Sequence, residues 1–200
     1  MTVQTIQLLA RLIPAELSEK IGRAQHSSPP IPNASLRPAA VLVPLVSRRG
    51  AWHLLLTRRA QGLRNHNSQV AFPGGRCEET DGGAIKTALR ETREEVGIAS
   101  NFIHILGVLP QQPVVSGYLV TPVVGVLSST VRPRISPDEI ERVFYVPLSW
   151  LAEPSHVERI ERHHWGGIDY PVPFFVPYEE EIIWGMTARI ILSLVDALKA

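Results

Sequence analysis

The stretch that decides the fold is ALRETREEVGI, residues 88–98. Five of the six residues from Arg90 to Glu95 are charged, and an apolar residue and a glycine follow. On a helix, Glu91, Glu94 and Glu95 stand at i, i+3 and i+4, which places three carboxylates on one face. Each like-charged pair at this spacing costs about a few tenths of a kcal/mol, and the helix dipole disfavours anions near a C-terminus. Something outside the helix is therefore expected to compensate these charges.

Two kinds of compensation fit the pattern. Arg90 and Arg93 alternate with the acids, so the segment could form a solvated, salt-bridged face. A divalent cation would also neutralise the carboxylates, because Mg²⁺ binds carboxylate oxygens together with substrate phosphates. The preceding FPGG, residues 72–75, favours the second interpretation. Glycines allow close approach of the backbone to a ligand, and the carbonyl of Gly75 could face a metal.

The pattern predicts a helix from Gly83 to about Val96. Gly97 supplies a natural C-terminal stop, and Asp81 is a candidate N-terminal cap. The helical periodicity predicts one buried stripe, made of Ile85, Ala88, Leu89, Thr92 and Val96.

The run from Gly75 through Arg90, Glu91, Glu94, Glu95, Gly97 and Ile98 resembles the signature motif of the Nudix hydrolases. It departs from the family pattern in three ways: the loop acid is Asp81 rather than Glu, the spacing to Arg90 is one residue longer, and Thr92 takes an apolar position. The resemblance implies a Mg²⁺ or Mn²⁺ site formed by Glu91, Glu94, Glu95 and Gly75. It also implies catalytic roles for Glu94, for Arg90 as an orienting residue, and for Glu139 as a further ligand or general base.

A second motif lies just upstream, in LLTRRAQGLRNHNSQVAFPGG, residues 55–75. It resembles the coenzyme A pyrophosphatase branch of the same family, with Ser68 where that branch has glycine. The resemblance extends over about residues 36–195 and implies hydrolysis of CoA, or a CoA derivative, to 3′,5′-ADP and 4′-phosphopantetheine. Arginine forks suit phosphate groups. The candidate substrate-binding residues are Arg59, Arg64, His66, Phe72 and Gly74.

The other segments predict an α+β fold, a Nudix-type α/β/α sandwich with a mixed β-sheet. Residues 1–35 are expected to form an N-terminal helical extension and linker, and residues 36–200 the hydrolase domain. The pattern predicts a helix over residues 3–25 and a C-terminal helix over residues 182–200. Strands are predicted at 39–47, 51–59, 69–75, 102–110 and 118–127, with a loop at 111–117. Residues 136–148 are expected to start with a capped turn and end in a strand, followed by a short helix from Pro147 and a further hairpin over 163–176.

Composition bounds the partners. The chain has 200 residues, with 20 basic against 19 acidic side chains and a net charge of +1. This balance favours neither nucleic acid nor a membrane surface as a partner, and no apolar run approaches the roughly 18 residues of a membrane span. The single cysteine, Cys77, suits a reducing compartment, so a cytoplasmic location is expected. The expected partner is a small-molecule nucleoside diphosphate derivative, and the N-terminal segment leaves room for a homodimer.

Two other functions remain open from the sequence. The chain could be a Nudix hydrolase of another substrate, such as ADP-ribose, a dinucleotide or a nucleoside triphosphate, because a fold does not fix a function. It could also be a non-catalytic Nudix-fold binding module. Such a module is expected to lose the acidic residues of the motif, whereas this chain keeps Glu91, Glu94 and Glu95.

Overall fold

A computed structural model describes residues 14–24, 35–60, 69–165 and 167–199. Its first hairpin joins β1 (Arg37–Arg48) to β2 (Ala51–Arg59) in antiparallel register. The turn between the strands uses Arg49 and Gly50, whose φ angles are 50° and 77°. Positive φ is inexpensive for glycine, and two such residues in a row form the tight turn that matches strand twist. The predicted hairpin is confirmed.

This hairpin is the centre of a mixed eight-stranded sheet. Five strands follow the order β3-β2-β1-β7-β5, and the remaining three pair at their flanks, β4 with β1, β6 with β7 and β8 with β2. The pairing of β1 with β7 is parallel, from Arg37 opposite Tyr118 to Leu45 opposite Val126, and it makes the sheet mixed. The bounds are β3 (Val70–Ala71), β4 (Gly74–Arg76), β5 (Ile103–Val108), β6 (Gln112–Val114), β7 (Tyr118–Leu127) and β8 (Ile140–Pro147).

Helices cover both faces of the sheet. The helices are α1 (Pro14–Ala24), α2 (Ala84–Val96), the short α3 (Leu148–Leu151) and α4 (Gly185–Lys199). Successive residues of β1 point to opposite faces. Leu42 packs with Ala88 of α2 in one cluster, whereas Val43 belongs to a larger cluster that includes Leu17 of α1 and Ile191 of α4. The predicted α/β/α sandwich is therefore confirmed.

The helix α2 matches its predicted bounds but not its predicted buried stripe. It ends at Gly97, whose φ is 67° and whose N–H donates to the carbonyl of Arg93 at 3.0 Å. Ile85 was expected inside and is instead 42% exposed. The buried residues are Thr87, Ala88, Thr92, Glu95 and Val96. The helix is thus rotated from the prediction toward the side that carries Thr87 and Glu95, so it buries polar groups against the sheet.

Two other predictions were wrong in extent. The segment predicted as a loop over 111–117 contains β6, which pairs with β7. The hairpin predicted over 163–176 begins earlier, because β9 (Val157–Trp165) pairs with β10 (Ile168–Phe175) in a separate two-stranded sheet. Both segments are irregular in hydrophobicity, and β9 is solvent-exposed along most of its length, so no alternating pattern marks it as a strand.

The helix α1 shares the main core. Leu17 and Ile21 are fully buried in the larger cluster, and the hydroxyl of Ser18 donates to the carbonyl of Leu106 at 2.8 Å. The predicted boundary between residues 35 and 36 stays a prediction, since residues 1–13 and 25–34 lie outside the described ranges.

Among the helices described by the structure, none combines the length and the apolar composition needed to cross a bilayer.

Replacing Leu17 with alanine should destabilise the whole domain. The side chain is 0% exposed, and truncating a buried leucine costs about 2–5 kcal/mol of unfolding free energy. Urea unfolding followed by circular dichroism measures the change. Lys20→Ala, on the partly exposed side of the same helix, is the matched control and should change stability by less than about 0.5 kcal/mol. Equal midpoints for Leu17→Ala and wild type would show that α1 does not contribute to the core.

Candidate active site

The FPGG segment brings the backbone against two elements at once. Gly74 and Gly75 begin β4, where they pair with Val41 and Ala40 of β1. A Cβ added to Gly74 would lie 2.5 Å from the Cα of Val41, and one added to Gly75 would lie 2.6 Å from the carboxyl carbon of Glu91. Only glycine tolerates such approaches without displacing its neighbours. Gly74 thus lets β4 approach β1, and Gly75 lets the carboxylate of Glu91 lie directly on the backbone.

Glu95 is a buried carboxylate between the helix and the sheet. It is 2% exposed. Its Oε2 accepts a hydrogen bond from the backbone N–H of Gly74 at 3.1 Å, and its Oε1 lies 3.4 Å from Nη1 of Arg59 at the end of β2. Burial raises the pKa of Glu95 to about 7, against the opposing effects of Arg59 and the Gly74 N–H. The side chain is therefore poised between its protonated and ionised forms near neutral pH.

Arg90 is fixed by Asp81. Its Nε donates to Oδ1 of Asp81 at 2.7 Å, and its Nη2 donates to Oδ2 at 3.0 Å. Asp81 also accepts hydrogen bonds from the N–H of Glu78 at 2.9 Å and from the hydroxyl of Thr87 at 2.8 Å. The hydrogen bond from Arg90 holds the pKa of Asp81 well below its usual range, and the same bond raises the pKa of Arg90. The N-cap of α2 is Gly83, so Asp81 orients Arg90 and does not cap the helix.

The remaining nitrogen of Arg90 reaches two more acids. Its Nη1 donates to Oε1 of Glu91 at 2.8 Å and to Oε2 of Glu94 at 3.0 Å. Glu94 has 53% of its side chain exposed, whereas Glu91 has 16%. Burial raises the pKa of Glu91, and the charge of Glu94 adds to the effect. Part of the predicted salt-bridged face therefore exists, but it involves Arg90, and Arg93 forms no ion pair with any described residue.

A fourth carboxylate, Glu139, reaches the site from a loop that docks on the end of α2. Within this loop, the N–H of Ser136 donates to the carbonyl of Glu95 at 2.9 Å. The carbonyl of Glu139 in turn accepts from the N–H of Ala60 at 2.8 Å. The charge of Glu139 contributes to raising the pKa of both Glu91 and Glu95, so it acts on the same cluster. This exposed acid therefore lies near the carboxylates of α2.

The other residues predicted for the site fall in different places. Arg59 lies at Glu95, with 26% of its side chain exposed. Phe72 is 4% exposed and packs in the larger core cluster. It therefore anchors the FPGG turn to the core. Arg64 and His66 lie in residues 61–68, outside the described part of the chain. Thr87 was not predicted, since a threonine in a helix gives no sign that its hydroxyl fixes a loop acid six residues earlier.

The chemistry of this cluster fits a hard divalent cation. All four acidic side chains offer oxygen donors, which hard divalent cations prefer. Burial raises the pKa values of Glu91 and Glu95. Within residues 14–24, 35–60, 69–165 and 167–199, no three acidic, histidine or cysteine side chains converge closely enough to define a metal position. Glu91 and Glu94 are instead bonded to Arg90.

Comparisons with known proteins define the class. The NUDIX domain profile matches residues 36–165. The chain is 42% identical over 180 residues to a protein named uncharacterized Nudix hydrolase NudL from Escherichia coli K12, covering 89% of this chain and 92% of that protein. The NudL of Shigella boydii serotype 18 is 41% identical over the same coverage. This chain belongs to the Nudix hydrolase family and is a pyrophosphohydrolase.

A solved structure agrees with the fold. The crystal structure of a MutT/nudix family protein from Enterococcus faecalis superposes with a TM-score of 0.52 at 16% identity. The match covers 97% of this chain and 73% of that one. At this identity the likeness concerns the fold alone, and it agrees with the mixed sheet and its covering helices.

Replacing Glu95 with glutamine should remove one pH-dependent component of stability. The ordinary pKa of a glutamate is 4.5, and the pKa of Glu95 in the fold is about 7. The folded chain therefore holds a proton that the unfolded chain releases, and stability is lost as pH rises from about 4.5 to about 7. In the presence of a chelator, wild type should lose on the order of 3 kcal/mol relative to Glu95→Gln across this window.

Urea unfolding at half-unit pH steps measures this difference. Below about pH 4 the difference between the two proteins should be constant, and above about pH 8 it should be constant again. A difference that does not change between about pH 4 and about pH 8 would contradict the raised pKa of Glu95. Glu79→Gln, an exposed acid in the loop before α2, is the control and should follow wild type at every pH.

Proposed function

We propose that this enzyme hydrolyses the diphosphate of coenzyme A, or of a CoA derivative, to 3′,5′-ADP and 4′-phosphopantetheine. The observation that carries the proposal is the contact of Arg59 with Glu95, at 3.4 Å. Arg59 belongs to the motif over residues 55–75, which resembles the CoA pyrophosphatase branch, and Glu95 belongs to the acidic helix. The two motifs therefore meet at one site, as a single diphosphate substrate would require.

We propose Mg²⁺ or Mn²⁺ as the cofactor, held by Glu91, Glu94 and Glu95 with the carbonyl of Gly75. When bound, such an ion neutralises charge on phosphoryl oxygens and lowers the pKa of a coordinated water. Gly75 suits this arrangement because its missing side chain lets Glu91 lie against the backbone.

Side chains of the protein supply the other functions: positioning of the acids, proton transfer and phosphate binding. Arg90, held by its two hydrogen bonds to Asp81, positions Glu91 and Glu94 on the exposed side of α2. Glu94 is the most exposed of the three helix acids, and Glu139 lies on the loop facing them. We assign to one of these two acids the role of general base, which accepts a proton from an attacking water. Arg59 has 26% of its side chain exposed and can bind a phosphate oxygen alongside Glu95.

The choice of CoA over other diphosphates follows from the upstream motif. CoA carries a diphosphate and a 3′-phosphate, and Arg59, Arg64 and His66 give that motif three groups suited to phosphate. Retention of Glu91, Glu94 and Glu95 supports turnover over a binding module without catalysis. The single cysteine supports a cytoplasmic location, because reducing compartments keep thiols free.

The carboxylates of the helix should be indispensable for turnover. Glu94→Gln and Glu95→Gln each remove a charge that the metal or the attacking water requires, and each should lower kcat by at least about 100-fold. Steady-state hydrolysis of CoA at saturating Mg²⁺ measures the loss, and far-ultraviolet circular dichroism checks the fold. Glu79→Gln should keep the wild-type rate. Wild-type rates in both site variants would refute the metal-site assignment.

Product analysis separates the proposed substrate from its alternatives. Purified protein with Mg²⁺ or Mn²⁺ is incubated in parallel with CoA, ADP-ribose, NADH and a dinucleoside polyphosphate. Mass spectrometry should find 3′,5′-ADP and 4′-phosphopantetheine formed from CoA faster than any product of the other three. Intact CoA beside a cleaved ADP-ribose or dinucleotide would leave the enzyme class in place and overturn the CoA assignment.

A further inference from the structure

The two edges of the β9–β10 sheet differ in chemistry. The N–H of Val176 donates to the carbonyl of His156, on the β9 side, whereas the N–H of Phe175 donates to the carbonyl of Ile183, on the opposite side. Along a strand the backbone groups alternate between the two edges. The register with β9 shifts between Phe174 and Phe175, but the extra residue of this bulge, Glu158, lies on β9, so the alternation along β10 continues. The nitrogens of Pro171 and Pro173 therefore lie on the same outer edge as that of Phe175. Proline has no N–H to donate, so this edge of β10 is blocked against a further strand.

The opposite edge, along β9, is open. Pro173 lies opposite Ile160 and Pro171 lies opposite Arg162. Because the backbone groups of both prolines point away from β9, these are non-hydrogen-bonded pairs, and the N–H and C=O of Ile160 and Arg162 point outward. In the part of the chain that the structure describes, β9 has β10 as its only strand partner. The outward N–H and C=O groups of β9 thus form a free template for another strand.

The sequence of β9 is complementary to itself. Its central residues are Glu158-Arg159-Ile160-Glu161-Arg162. Two antiparallel copies with Ile160 opposite Ile160 place Arg159 opposite Glu161, twice. Glu158 is the extra residue of a β-bulge in β9, where the register with β10 shifts between Phe174 and Phe175, so the regular pairing ends at Arg159. The charges of these two central pairs are opposite in sign, an arrangement that stabilises cross-strand pairs. The same register joins the outward backbone groups of Ile160 in a hydrogen-bonded pair.

Two features of the side chains favour this register. Ile160 is 55% exposed, and the register covers this large apolar side chain at the twofold axis. Nε of Arg159 already lies 3.1 Å from Glu161 in the same chain. Pairing would bring in the second copy's Arg159 and Glu161 to form a network of four charges, which is stronger than an isolated surface pair.

We propose that two copies of this chain associate through their β9 edges, antiparallel about Ile160, to form a continuous sheet in the order β10-β9-β9-β10. We choose a second copy of this chain as the partner because the charges along β9 are complementary to those of an antiparallel second β9. The paired segment is short, so the dimer is weak and depends on protein concentration.

Disulfide trapping tests the register directly. In a Cys77→Ala background, Ile160→Cys places two thiols opposite each other at about 5.5 Å between Cα atoms, a distance that a disulfide can bridge. Arg162→Cys is the matched control, because in this register the two introduced thiols are offset by about four residues along the strand, about 13 Å. Mild oxidation of the full chain should cross-link the first variant and leave the second monomeric. Equal cross-linking of both, or of neither, overturns the proposal.

Sedimentation velocity over a concentration series tests the energetics. Wild type should shift from monomer toward dimer as concentration rises. Ile160→Pro removes one outward N–H without removing a bond to β10, and Arg159→Glu sets like charges against each other, so each should weaken association by at least about 10-fold. The swapped pair Arg159→Glu/Glu161→Arg restores opposite charges and should restore dimerisation. A monomeric wild type at every concentration, or a swap no better than the single variant, contradicts the proposed interface.

Discussion

The constraint on which the rest of the site depends is the burial of one carboxylate, Glu95, between α2 and the sheet. A carboxylate 2% exposed must be given partners, because an unpaired buried charge is costly. The partners come from two separate strands: the N–H of Gly74 from β4 and the guanidinium of Arg59 from β2. Their positions require β4 to run close against β1, and that approach in turn requires glycine. The geometry of the site therefore depends directly on the geometry of the sheet.

Arg90 compensates the negative charge of the acids on and before α2. It is bound by Asp81 on one side and by Glu91 and Glu94 on the other, so one cation serves three acids. Asp81 is itself held by the Glu78 N–H and by the Thr87 hydroxyl. The loop before α2 is therefore fastened to the helix through side chains, in the absence of a side-chain cap at Gly83. Although this loop is one residue longer than the family pattern, its acid, Asp81, binds Arg90 through two hydrogen bonds.

Regular periodicity made the central elements predictable. The β1–β2 hairpin and the bounds of α2 follow from apolar runs and from glycine stops, signals that are local in the sequence. The buried face of α2 did not follow, because the pattern counts Ile85 as apolar and Glu95 as polar. Tertiary partners reverse both: Gly74 and Arg59 make Glu95 tolerable inside, and Ile85 remains at the surface. The strand β9 was underestimated for a similar reason, since its charged residues are exposed on both faces and show no alternation.

The placement of α1 and α4 distinguishes the domain defined by the family profile from the domain defined by the hydrophobic core. The family profile matches residues 36–165, yet Leu17 from α1 and Ile190, Ile191 and Leu194 from α4 belong to the larger core. A protein reduced to the matched residues would expose to water the part of this core that α1 and α4 cover. The residues that the profile matches are therefore fewer than the residues that build the core. Cooperative unfolding is therefore expected to extend over both helical layers, beyond the residues that the profile matches.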